Sequence, residues 1–193
     1  MRLIWYTAMS MDGRIAAAGD DMSFLSTVDS TGEPDDEFQA FIAGIDAVLI
    51  GGSTLRWLVD GGHGWPHGDL PTWLVSRDTQ LRARVGEVER PIHQRAGDLG
   101  PILDEIAADG HERVWLCGGG DIAGQALVLD RVDEVIVTIA PTALGNGPSL
   151  FETVGMSQHA FELDEVRRYG THSARLVWHR ARTAPAEDVV RPR

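Results

Sequence analysis

Lysine is missing altogether, so all 17 basic residues of the 193-residue chain are arginine. That excludes Schiff-base catalysis and the phosphate-binding lysine of a P-loop, both of which require an ammonium group. Basic charge is also in short supply. A formal net charge of −12 argues against a nucleic-acid backbone or an anionic membrane surface as partner. Cys117 is the single cysteine, so neither an internal disulfide nor a cysteine cluster for zinc can form. The expected setting is a reducing, cytoplasmic one. Long apolar runs are lacking as well. Near the N-terminus, Asp12 and Arg14 interrupt the run begun by "RLIWYTAM" before a signal sequence or a membrane span develops.

What is present is a 43% hydrophobic composition in a pattern that alternates strands and helices. It suits one domain over 1–180 followed by a frayed tail over 181–193. Residues 2–8 read as a buried strand, and "MSMDGRIAAAGDD" as a long loop with turn signals at Asp12-Gly13 and Gly19-Asp20. In "STGEPDDEFQAFIAGI", Phe38, Phe41, Ile42 and Ile45 fall at helical spacing, with Ser30 or Thr31 as cap and acids in the first turn. "DAVLIGG" then reads as a strand stopped by glycines, and "STLRWLV" as a helix capped by Ser53. Further strands are expected at "PTWLVSRD", "RPIHQRA", "ERVWLC" and "VDEVIVTIAP", and further helices at "LGPILDEIAADG" and "DIAGQALVL". The runs "HAFELDEVRRYG" and "THSARLVWHR" predict an antiparallel hairpin. The fold class is therefore α/β, with a mostly parallel central sheet flanked by helices and a C-terminal antiparallel hairpin.

Two strands end in glycines that open helices, at Gly51-Gly52 and at Gly118-Gly119-Gly120. Such turns present backbone N–H groups and the positive end of a helix dipole, which suits a diphosphate; equally, a glycine pair can serve only a tight turn. The spacing is not that of G-x-G-x-x-G, and no Walker A sequence occurs.

"AMSMDGRIA", "DAVLIGGSTL", "LVSRD", "WLCGGGDIAGQAL" and "LDRVDEVIVTIAPTALGNGPSLF" occur in the order found in the dihydrofolate-reductase-like superfamily. The chain most resembles the branch containing the reductase domain of the riboflavin-biosynthesis deaminase-reductase and its stand-alone relatives. The resemblance implies NADPH as hydride donor. It places Ala8 and Ile15 beside the nicotinamide, and Gly51, Gly52, Ser53 and Thr54 on one side of the diphosphate. Ser76 and Arg77 would meet the 2′-phosphate, and Gly118, Gly119, Gly120, Asp121 and Ile122 the other side of the diphosphate. Arginine suits the phosphate role because its guanidinium binds bidentately. The chain departs from its relatives at Gly52, where many carry an arginine, and Arg56 is the substitute expected. It departs again in its acidic, aromatic first helix, which replaces the basic helix of riboflavin-pathway reductases.

Reducing a C=N bond requires a proton for the nitrogen, from a side chain or an ordered water. In dihydrofolate reductases a carboxylate on the first helix holds the pterin, and helix length brings Asp35 or Asp36 to that position; the same acids also favour a helix N-terminus. Asp12 is expected to shape a turn. Met9, Met11 and Met22 are candidates for the cofactor pocket, Trp65 for a cover over the substrate, and Cys117 for a buried small side chain. His63 and His67 lie on a Gly-Pro loop unsuited to fixing a metal, and no metal site is expected. Three functions fit: reduction of a small nitrogen heterocycle such as 5-amino-6-(5-phosphoribosylamino)uracil, reduction of a pterin, or NADP(H) sensing without turnover. A homodimer is also expected, through an apolar hairpin face carrying Phe161, Leu176 and Trp178.

Overall fold

The computed structural model describes residues 1–34, 37–63, 68–85, 91–152 and 158–181. Asp35, Asp36, Trp65 and His67 lie outside this set, as does residue 182 onward. In chain order the elements are β1 (Arg2–Met9), α1 (Glu37–Ala43), β2 (Ala47–Gly51), α2 (Gly52–Asp60), β3 (Thr72–Val75), α3 (Leu81–Arg84) and β4 (Ile92–Arg95). They continue with α4 (Leu99–Ala108), β5 (Arg113–Gly118), α5 (Gly120–Val128), β6 (Glu134–Ile139), β7 (Phe161–Tyr169) and β8 (Ser173–Arg180). The strands form one eight-stranded sheet in the order β4-β3-β2-β5-β1-β6-β8-β7. The six strands from β4 to β6 run parallel, and β8 pairs antiparallel with both β6 and β7.

The central strands read as unbroken apolar runs because helices cover both faces of a parallel sheet. Every residue of β2 is buried. Leu3, Trp5, Leu49 and Leu116 pack with α4 and α5 on one face. Ile4, Val48 and Trp115 meet Phe38, Phe41 and Ile42 of α1 on the other, where Ile50 and Leu74 also receive Leu55 and Leu58 of α2. Trp73 donates its indole N–H to Glu105 at 3.0 Å. The Arg95 guanidinium also binds that carboxylate, and together these bonds pull its pKa down to about 2.

Two helix starts differ from expectation. Gly51, in extended conformation, is the N-cap of α2 and no side chain caps it; Ser53 lies within the first turn. Thr31 is held by Asp29 through both its N–H and its hydroxyl, so Ser30 and Thr31 form a turn well ahead of the first described helical residue, Glu37. The short helix α3 carries too little periodicity to be anticipated. At the hairpin, Gly170 has φ +56° and a methyl group there would fall 1.6 Å from the Asp29 carbonyl oxygen, so the turn closes directly onto the segment preceding α1.

Candidate cofactor cleft

The glycine turns stand side by side because β2 and β5 are neighbours. Ile50 aligns with Gly118 after a register shift, which brings the carboxyl ends of the two strands together. The glycines answer first to the chain's own atoms. A methyl at Gly118, whose φ is +151°, would lie 2.7 Å from the Thr54 hydroxyl; one at Gly51 would sit 3.2 Å from the Gly118 carbonyl; and one at Gly120 would sit 2.2 Å from the Ser149 carbonyl. Only Gly119 has looser surroundings, with Thr54 Oγ1 at 3.5 Å. The turns are thus packed against each other and beneath the segment at 149–152, where Glu152 N–H donates to the Gly120 carbonyl.

A cleft of about 200 Å³ opens over these turns. Ile15, Gly51, Gly52, Ser53, Thr54, Gly118, Gly119, Gly120, Asp121 and Ile122 all border it. Trp5 and Thr7, rather than Ala8, are the β1 residues on the wall, because strand alternation turns Ala8 toward the α1 face. Of the three methionines, Met22 borders the cleft, Met9 packs against the core and Met11 is 68% exposed. Cys117 also borders it, and burial pushes its thiol pKa up, which keeps it protonated.

Gly51 and Gly119, the N-caps of α2 and α5, provide no side-chain cap to the nine-residue helices that follow. Their first-turn N–H donors therefore suit an anionic ligand better than an apolar one. Asp121 also belongs to the first turn of α5, and its carboxylate accepts a hydrogen bond from Gln125 at 3.0 Å along the helix. Beyond Gly52 and Ser53 the cleft continues into a polar recess lined by Arg56, Ser76, Arg77, Asp78 and Asp98. Gly52 and Ser76 go together: a Cβ at 52 would lie 2.8 Å from Ser76 Oγ, so an arginine there would need Ser76 to move. Arg77 is exposed at the recess, and Arg56 stands 3.8 Å from the Asp78 carboxylate.

One wall is clasped by Asp12. Its carboxylate accepts hydrogen bonds from the Ser10 hydroxyl at 2.5 Å and from the N–H groups of Leu144 and Gly145 at 3.0 and 2.7 Å. These bonds hold its pKa far below the usual carboxylate range. Asp12 does shape a turn, and the turn belongs to a loop 132 residues away.

The first helix presents a different picture. Glu37 is ion-paired to Arg167 and, at 2.9 Å, to Arg175. Arg175 is 5% exposed, donates to Thr138 at 2.8 Å, and lies over the rings of Tyr6 and Tyr169. Glu33 accepts from Arg167 and from the Gly170 N–H, and these bonds lower its pKa. The described acids of this region are therefore bound to arginines, not open to the cleft. Asp35 and Asp36 lie outside the described residues. Among the described residues no group of three or more His, Cys, Asp or Glu side chains could hold a metal ion.

A largely parallel α/β sheet with paired glycine turns at its carboxyl edge and an antiparallel terminal hairpin defines the dihydrofolate-reductase-like class. The profile of the RibD C-terminal domain matches residues 2–174, and the chain belongs to that family. It is similar to an uncharacterized protein of Bacillus subtilis, YwjB, with 24% identity over 88% of this chain and 92% of the relative. Among solved structures it resembles a putative riboflavin biosynthesis protein from Shewanella sp. PV-4, with TM-score 0.80, 25% identity, and coverage of 94% and 100% of the two chains. The deaminase/5-amino-6-(5-phosphoribosylamino)uracil reductase of Thermotoga maritima shares the fold, with TM-score 0.69 at 15% identity, over 93% of this chain and 56% of that one.

Proposed function

We propose that this protein is an NADPH-dependent reductase of a small nitrogen heterocycle, with 5-amino-6-(5-phosphoribosylamino)uracil the best candidate substrate. The observation carrying this reading is the pair of uncapped helix N-termini at adjacent strand ends, α2 and α5, bordering one cleft that runs on into an arginine-bearing recess. When bound, NADPH supplies a hydride. The chain's own part is to hold and orient: the first-turn N–H groups of α2 and α5 suit the diphosphate, and Arg77 with Arg56 suits the 2′-phosphate. Ile15 and Thr7, on the cleft wall, suit the nicotinamide side. Asp20 and Glu152 are described carboxyl groups on the cleft that could pass a proton to a ring nitrogen. The pterin alternative rests on Asp35 or Asp36, outside the described residues; the neighbouring Glu37 is bound to Arg167 and Arg175.

Loss of NADPH absorbance with the phosphoribosylamino-uracil and not with dihydrofolate is the expected result. NADPH binding without turnover on either would replace the enzyme with a sensor. We further propose a homodimer through the hairpin, although not on the residues first expected. Phe161, Leu176 and Trp178 are partly buried against the main core, and the exposed apolar residues are Leu163 and Val166 of β7, at 56% and 59%. Light scattering should give twice the monomer mass, and Val166→Asp should return it to a monomer.

A further inference from the structure

The cleft has an aromatic wall that its glycine turns do not explain. Trp57, in the last part of α2, borders the cleft together with Ala16, Asp20 and Met22 of the long loop after β1. Its indole is covered on one face by the imidazole of His63, with centroids 3.9 Å apart and planes 18° apart. An exposed histidine held parallel on a tryptophan needs a chain reversal, and the sequence supplies one. The N–H groups of Gly61 and His63 return to the carbonyls of Trp57 and Leu58, at 3.0 and 3.1 Å, while Gly62 takes φ +63°. Gly61 is required for a separate reason. A Cβ at that position would lie 2.3 Å from His63 Nε2 and would push the imidazole off the indole.

We propose that Trp57, steadied by His63, is the wall against which the substrate's planar nitrogen heterocycle lies, a reading that rests on the reductase function above. An indole offers any planar heterocycle a π-face, so stacking selects planarity and size before hydrogen-bond pattern. His63 is a positioning residue: it restricts the indole without entering the cleft. Trp57 is the specificity-determining one. The arrangement makes the substrate wall a property of α2 and its terminating turn, independent of the acidic first helix that distinguishes this chain from riboflavin-pathway relatives.

The test is calorimetric titration of the whole protein with 5,6-diaminouracil, with and without saturating NADP+, using 5,6-dihydrouracil as a puckered comparison. The planar ring should bind and the puckered ring bind much more weakly. Trp57→Ala should weaken diaminouracil about tenfold, whereas Trp57→Phe should keep most of the affinity. His63→Ala and Gly61→Ala should each weaken it about threefold, and His63→Phe should restore it. The NADP+ dissociation constant should stay constant throughout. Equal binding of both uracils, or unchanged binding in Trp57→Ala, overturns the proposal. Binding of NADP+ but not of diaminouracil overturns the wall and leaves the cofactor reading standing. Trp57-dependent binding of diaminouracil without any binding of NADP+ does the reverse, and binding of neither removes both.

Discussion

The carboxyl edge of β2 and β5 and the meeting of α1 with the terminal hairpin solve opposite problems with opposite chemistry. At the first, glycines let backbone approach backbone, and two helices begin without a side chain to cap them. At the second, Arg167 and Arg175 are bound to Glu33 and Glu37, with two tyrosine rings over the Arg175 guanidinium. One region leaves helix N-termini without a side-chain cap, while the other consumes its charges internally. The electrostatics of the second belong to stability, and under the proposed function those of the first belong to binding.

Mutations should separate the two regions. The largest effect is expected from Arg175→Met, which takes the buried partner from Thr138 and leaves Glu37 with Arg167 alone; it should cost about 4 kcal/mol in urea unfolding and leave NADPH affinity unchanged. Gly120→Ala comes next, at about 3 kcal/mol, because the atom it meets is the backbone oxygen of Ser149, and it should weaken NADPH as well. Arg77→Ala should leave stability alone while weakening NADPH about tenfold and NADH hardly at all. Equal weakening of the two nucleotides would remove Arg77 from the 2′-phosphate. The smallest effect is on pH dependence. The folded pKa of Glu105 lies at about 2, below its unfolded value, so the stability it contributes is present at neutral pH and is lost as pH falls through the carboxylate range toward that value. Acid unfolding of Glu105→Gln should be correspondingly shallower over this interval.

The same contrast explains what could be read from the sequence. Buried parallel strands announce themselves as runs such as "DAVLIGG" and "ERVWLC", and helix-opening glycines are local signals, so the sheet and one wall of the cleft were legible. The arginine network was not. Its partners Glu37 and Arg175 are 138 residues apart, and an acidic helix start reads equally well as a dipole effect or as a ligand. Ser53 was a reasonable cap by residue type, but the helix starts two residues earlier than that cap requires, so that the cap position falls to Gly51. Trp57 looked like an ordinary helical apolar residue, because nothing in its spacing tells that Gly61 and Gly62 fold His63 back onto it.

The position of β1 has a consequence for how the molecule is made. The first strand of the chain fills the gap between β5 and β6, pairing Arg2 with Arg113 and Met9 with Ile139. Among the parallel strands only β2, β3 and β4 pair with near neighbours in sequence, and the other local pair, the β7–β8 hairpin, is the last to be synthesised. On the ribosome, "RLIWYTAM" must therefore wait as an unpaired apolar segment until most of the chain has been synthesised. Closing loops of that length before any contact rewards them makes refolding slow, and the waiting segment is where aggregation of the nascent chain would begin.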